Sequence, residues 1–436
     1  MTNPLLEIIA DHKAGAARGI YSICSAHAAV LDVSARLAAN IGGSLLVEST
    51  CNQVNQDGGY TGMTPRAFAE YLTRVTLQAG LSRDQVLLGG DHLGPYPWRS
   101  RPAADAMQKA RTLVVDCIRA GYTKIHLDTS MGCADDRGAV VPKVIVAERC
   151  AELCAAAEEA YRYSRAGSAA LCYVIGNEVP SPGGETNEEA EIRTTTPQDV
   201  EETLEITRRV FAQRGLEAAW ERVIALVVQP GADFTNNGVH EYSRCQAERL
   251  SQLIEQYPRL VYEAHSTDYQ TPEALRQLVE DHFAILKVGP ALTFAFREAV
   301  FALAWMEREW VGGRSDAVLS DLPIVLDCVM LGDPHHWTSY YHGEPYEVAF
   351  ARRYSYSDRS RYYWNHPEVQ AALARLYENL ARYPPPLTLL SQFLPGQYAR
   401  VREGQLGLRP QEWVHDHIAS VLLGYARACG KLAKSP

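Results

Sequence analysis

The sequence predicts an α/β fold: a closed parallel (β/α)8 barrel over residues 1–295, with a helical C-terminal extension over residues 296–436 packed on it. Three observations carry this expectation. Eight short apolar runs rich in β-branched residues recur at spacings too long for hairpins and right for strand–helix units. These runs are near-continuously hydrophobic and alternate with amphipathic helical patterns, as strands buried on both faces require. From about residue 296 the strand signal stops and Tyr, Arg and Trp become frequent. A doubly wound open sheet is the competing architecture, but eight strands within about 290 residues favour the closed barrel.

In chain order, MTNPLLEIIADHKAG reads as a helix capped by Asn3 with Pro4 in its first turn. The first strand is GIYSICS (19–25), followed by the helical AHAAVLDVSARLAANIGG. LLVEST (45–50), VLLGGDH (86–92) and KIHLD (124–128) are the next three strands. The helix after the fourth, VPKVIVAERCAELCAAAEEAYRYSRAG, is Ala-rich and ends on Gly167. AALCYVIGNE (169–178), VIALVVQP (223–230), LVYEAH (260–265) and FAILKVGP (283–290) complete the eight. In the extension, FREAVFALAWMEREW, RRYSYSDRSRYYW, VQAALARLYENLARY and HDHIASVLLGYARACG read as helical, with the prolines at 384–386 as a stiff connector. The Tyr and Trp stripe there reads as core or interface before it reads as a binding box.

Composition narrows the function classes. The 436 residues carry a formal net charge of −10 without any Lys/Arg-rich tract, which argues against a nucleic-acid or anionic-membrane surface. The longest apolar runs fall far short of the roughly 20 residues a membrane span needs. The N-terminus lacks the basic-then-apolar order of a signal peptide. The ten Cys are scattered without a CxxC pair, so they read as reduced thiols of a cytoplasmic protein. The expected partner is a small molecule, and a homo-oligomer stays open.

Active sites of such barrels form at the C-terminal ends of the strands. Those ends carry Glu48, Asp91–His92, His126 and Asp128, Glu178, Gln229, His265 with Ser266–Asp268, and Lys287 with Gly289. Buried carboxylates and imidazoles cost several kcal/mol unless paired or metal-bound, so polar groups at successive strand ends point to a site. His92 and His265, with Glu178 and Gln229, form a mixed N/O set suited to zinc or another borderline divalent ion such as manganese, nickel or cobalt. Ser266, Thr267, Asp268, Lys287 and Gly289 lie where barrels of this kind seat a phosphate; Lys287 alternatively pairs with a neighbouring acid. Asp128 alternatively caps a helix starting near Ser130. HExxH, CxxC…CxxC and GxxxxGK[ST] are all absent.

NQVNQDGGYTGMTP, LGGDHLGP, KIHLD, YVIGNEVPSPGGE, VVQPG, YEAHSTDYQT and FAILKVGPALTFAFREA together resemble one family over nearly the whole chain, including YSYSDRSRYYW. That family is variously called tagatose-6-phosphate kinase and accessory subunit of class II tagatose-bisphosphate aldolase, with members also assigned as D-tagatose-6-phosphate 4-epimerases. A fainter similarity to class II aldolases implies that His92, His265 and Glu178 surround a metal. Gln229 stands where those aldolases place a histidine, as in tagaturonate epimerases. The kinase name fits poorly, because neither a P-loop nor a kinase glycine loop occurs.

The resemblance implies a metal-dependent isomerase, a 4-epimerase interconverting D-tagatose 6-phosphate and D-fructose 6-phosphate by retro-aldol cleavage between C3 and C4. Asp128 and Glu178 would then be the two acid/base groups, with Asp91 a third or the partner that orients His92. Asn52, Gln53, Asn55 and Gln56 would bind sugar hydroxyls. The other function it implies is a non-catalytic subunit that stabilises a separate class II aldolase.

Overall fold

All eight apolar runs become parallel strands of one closed barrel. The computed structural model describes residues 3–138, 140–163, 170–176 and 192–432. Its strands are β1 (Ile20–Ile23), β2 (Leu45–Thr50), β3 (Val86–Leu93), β4 (Lys124–Leu127), β5 (Cys172–Ile175), β6 (Val223–Val228), a small antiparallel pair β7 (Asp233–Phe234) and β8 (Val239–His240), then β9 (Val261–Ala264) and β10 (Ile285–Val288). Around the barrel the order is β1, β10, β9, β6, β5, β4, β3, β2, with all neighbours parallel. This is a TIM barrel with helices outside it. Burial on both faces explains the near-continuous apolar runs: every residue of β1, β4, β5, β6, β9 and β10 is buried.

The N-terminal helix Pro4–Lys13 begins as expected, with the Asn3 side chain accepting from Leu5 N at 3.0 Å. Its Leu5, Ile8 and Ile9 join Ile20, Leu46, Leu87, Val174 and Ile285 in one apolar cluster that closes the barrel floor. Polar chemistry is thereby confined to the other end.

The helix Pro290–Val311 leaves β10 and runs into the C-terminal region. The last helix, Pro410–Ala428, returns to pack against it and against the barrel helices Ala28–Ile41 and Pro272–Glu280. Its Tyr425 hydroxyl donates to Thr267 O at 2.7 Å, tying the extension to the loop after β9. RRYSYSDRSRYYW is helical only up to Tyr354; a short 3-10 turn, Arg359–Tyr362, follows, and Arg361 and Tyr362 line the barrel mouth. All ten cysteines are free. Among the described residues no helix is long and apolar enough to cross a membrane.

Candidate metal centre at the barrel mouth

Neighbouring residues of a regular strand face opposite sides, so Asp91 and His92 should not both reach the barrel interior. A bulge solves this. Between β3 and β4, Gly90 pairs with Ile125 and Leu93 with Leu127, three steps on one strand against two on the other. His92 takes the left-handed conformation at φ 49°. Both side chains then meet residues of the same neighbour. Asp91 Oδ1 lies 2.9 Å from His126 Nδ1, and His92 Nδ1 lies 2.9 Å from Asp128 Oδ2. A Cβ at Gly94 would overlap the Asp128 carbonyl, so only glycine lets the chain leave β3 this close to the end of β4.

Three imidazoles form a triangle: ring centroids are 5.1 Å apart for His92–His126, 4.8 Å for His92–His265 and 5.2 Å for His126–His265. Each has one ring nitrogen on its own carboxylate, His92 on Asp128, His126 on Asp91, and His265 Nε2 on Glu263 Oε1 at 3.0 Å. For His92 and His265 that pairing favours a proton on the bonded nitrogen and leaves the other with its lone pair, which is how metal-ligating histidines are held; His126 Nδ1 also accepts from His92 N at 3.3 Å. His126 Nε2 is buried without a hydrogen-bond partner. A buried polar atom left this way is costly unless something absent from the protein completes it. One ligand atom from each of Asp91, His92, His126 and His265 lies within 4.8 Å of the others.

Beneath the triangle is a layer of buried ions. Lys124 Nζ lies 2.8 Å from Glu48 Oε2 and 2.6 Å from Glu263 Oε2, and Lys287 Nζ lies 3.0 Å from both Glu48 Oε1 and Asp91 Oδ1. With Asp128, four acids face two lysines here, so a divalent cation among neutral imidazoles would balance the buried charge. The residues present therefore fit such an ion. Burial alone would raise the Asp91 carboxyl, but Lys287, His92 and His126 hold it well below the usual range. Burial likewise raises Asp128, and its hydrogen bond to His92 and that ring's charge outweigh it. His92 is raised, because Asp91 and Asp128 overcome burial, whereas burial wins at His265 and lowers it to about 3.

A cavity of about 110 Å3 opens above the triangle, lined among others by Cys24, Asn52, Gln53, Tyr60, Asp91, His92, His265, Ser266, Asp268, Lys287, Gly289 and Arg361. Gln53 spends its amide on Thr50 N and Cys24 O. Asn55 folds its own loop by bonding Cys51 O and the Asp57 and Gly59 amides, and Gln56 bonds Lys109 O. Gln229 accepts from Gly231 N and approaches Asp233, away from the cavity lining. Thr267 is fully buried and bonds Lys287 O. Asp268 accepts from Gly289 N at 3.0 Å and Ala291 N at 2.8 Å, and burial pushes it up to about 6. Asp128 accepts from Ser130 N, but the next helix begins only at Lys143. Glu178 lies outside the described residues.

Sequence reasoning named His126 among the strand-end groups but left it out of the candidate ligand set, although it shares a strand face with Lys124 and Asp128. It missed Glu263, two residues before His265, and Arg361.

The sequence matches, over residues 5–430, the family described as D-tagatose-1,6-bisphosphate aldolase subunit GatZ/KbaZ-like. The chain belongs to this family. A crystal structure from Sinorhizobium meliloti, described as a probable tagatose 6 phosphate kinase, is 43% identical, with a TM-score of 0.85 over 94% of this chain and 100% of that one. Fructose-bisphosphate aldolase from Campylobacter jejuni is 11% identical over 88% of this chain and 97% of its own, with a TM-score of 0.46. The YdjI aldolase from Escherichia coli K12 is 10% identical over 88% and 98%, with a TM-score of 0.42.

Membership corrects the expected isomerase. A GatZ/KbaZ-like chain is named as a subunit of an aldolase, and an aldolase is a lyase: it breaks a carbon–carbon bond and lets the fragments go. Retro-aldol chemistry is common to both activities, so reading for C3–C4 cleavage did not separate them. The sign that favoured an epimerase, Gln229, is engaged with its own loop.

Proposed function

We propose that this chain is the accessory subunit of a class II aldolase acting on ketose bisphosphates of the tagatose type, and that its barrel mouth binds a divalent ion and a sugar phosphate. The observation that carries the reading is the triangle of three histidines, each on its own carboxylate, in a chain of this family. Three imidazole nitrogens and a carboxylate suit zinc, with manganese, nickel or cobalt as alternatives. Such an ion, when bound, polarises a ketose carbonyl. Asp128, Asp91 and Glu263 orient the ligating rings, and Glu178 is the further carboxylate we assign to the site. A cytoplasmic setting suits ten free thiols.

A partner chain is supported by exposed apolar side chains on three successive helices: Trp305 (46%), Ile324 (57%), Leu331 (53%), Tyr346 (72%) and Phe350 (53%). Patches of this kind mark interaction surfaces. The intact triangle also favours a second reading, in which this chain cleaves the bond itself.

One experiment separates them. Metal-loaded chain is given tagatose 1,6-bisphosphate alone and together with a class II catalytic subunit, and triose phosphate release is followed by a coupled dehydrogenase. The accessory reading expects no release alone and a longer active lifetime of the catalytic subunit when the chain is added. Turnover by the chain alone supports the second reading, and neither effect refutes both.

A further inference from the structure

The anionic end of a sugar phosphate needs a cation that the protein has not already neutralised. Lys287 does not qualify, because Glu48 and Asp91 each lie 3.0 Å from its ammonium and Glu263 lies 3.6 Å away. The N-terminal amides of the helix after β10 do not qualify either. Asp268 accepts from Gly289 N and Ala291 N, so a carboxylate of the protein fills the place where a phosphate would sit.

Arg361 is different. It lines the same cavity as His92 and His265, yet its hydrogen bonds go only to neutral acceptors: Nη1 donates to Ser357 O and to Asp358 O at 3.1 Å, and Nη2 donates to the Tyr362 hydroxyl at 3.2 Å. A guanidinium has five N–H donors, and these bonds leave one proton on Nε and one on Nη2. The Nε–Nη2 edge of a guanidinium fits two oxygens of a phosphate. The carbonyls on Nη1 hold the plane in place, so little side-chain freedom is lost on binding. Asn52 and Asn365 also line the cavity, and among the described residues neither side chain has a hydrogen-bond partner. The Tyr362 hydroxyl also accepts from Arg359 Nη1 at 3.3 Å, and the two arginines outweigh burial to hold it below the usual phenol value. Asp268 and Asp358 lie near enough to act on Arg361 through their charge, but among the described residues neither carboxylate bonds its guanidinium.

We propose that Arg361, with the amides of Asn52 and Asn365, is a phosphate monoester subsite supplied by the C-terminal region to the barrel cavity. Its preferred ligand class, a phosphorylated ketose or triose, rests on the function proposed above; its selectivity for a phosphate over a neutral sugar does not. The extension thereby completes the site rather than only covering the barrel.

Binding to the metal-loaded full chain is measured by calorimetry with inorganic phosphate, dihydroxyacetone phosphate and dihydroxyacetone. The wild type should bind dihydroxyacetone phosphate at least about tenfold more tightly than dihydroxyacetone. Arg361→Met should lose that advantage, Arg361→Lys should keep part of it, and dihydroxyacetone should bind all three alike. A divalent-metal titration of each variant controls for folding. If Arg361→Met does not fold, Asn365→Asp, which places a negative charge on the same wall, should weaken both phosphates by a similar factor. Wild-type affinity for dihydroxyacetone phosphate in Arg361→Met, or in Asn365→Asp where that variant replaces it, overturns the proposal, as does a wild type that binds neither phosphate. Failure of the aldolase reading shows elsewhere, in the triose-release experiment, and leaves phosphate binding intact.

Discussion

Lys124→Met is the perturbation whose cost the structure makes most explicit. Lys124 is 1% exposed, and its ammonium lies 2.8 Å from both oxygens of Glu48 and 2.6 Å from Glu263 Oε2, both acids being fully buried. At an effective dielectric near 20, a unit pair at this distance attracts with about 6 kcal/mol, most of which offsets desolvation. Methionine keeps the length of the stem but strands two carboxylates, with Lys287 facing them across the same layer. Breaking a buried pair from one side costs about 3–5 kcal/mol. Urea unfolding at neutral pH, followed by circular dichroism, should show a loss of this size. The deficit should shrink as pH falls, because a stranded acid has a raised value in the folded state and regains stability once protonated. Lys124→Met combined with Glu263→Gln should recover part of the loss. A single variant within about 1 kcal/mol of wild type would refute the view that this layer is a charge-balanced unit.

Three further outcomes follow from the imidazoles. Titrated with zinc, the metal-free protein should bind a single ion, and Asp128→Asn should weaken that binding by about 10–100-fold while the fold persists; unchanged affinity would remove His92 from the ligand set. Because His92 is held above its ordinary value, protons compete with the metal, and affinity should rise with pH through and beyond about 6.5. Far from the site, His12 Nε2 lies 2.8 Å from His282 Nδ1, and burial lowers both rings. A lowered imidazole contributes stability above its unfolded value of about 6.5 that is lost as pH falls, so the thermal midpoint should drop on acidification. His12→Gln should flatten that slope, and an equal slope in the variant would show that the pair is not its source.

The barrel was legible because each strand is buried on both faces and so writes a continuous apolar run. The identity of the Asp91–His92 pair was legible too, but its common orientation was not, since it depends on a bulge and one positive φ angle that no residue pattern announces. His126 was named but left out of the candidate ligand set because KIHLD was read at its C-terminal end, where Asp128 stands; an alternating reading sets Lys124, His126 and Asp128 on one face. Lys287 could be read as a phosphate-binding cation because its acids, Glu48, Asp91 and Glu263, sit on three other strands and not beside it in the sequence. Arg361 lay in an aromatic stretch whose ordinary meaning is core or interface.

The bulge in β3 also bears on how such a centre arises and disappears. Without its extra residue, β3 would keep an ordinary pleat, and only one of Asp91 and His92 could face inward. A single in-frame codon is thus enough to assemble or dismantle this inward-facing pair. Within one lineage of barrels, metal-competent and metal-free members can stand one short insertion apart.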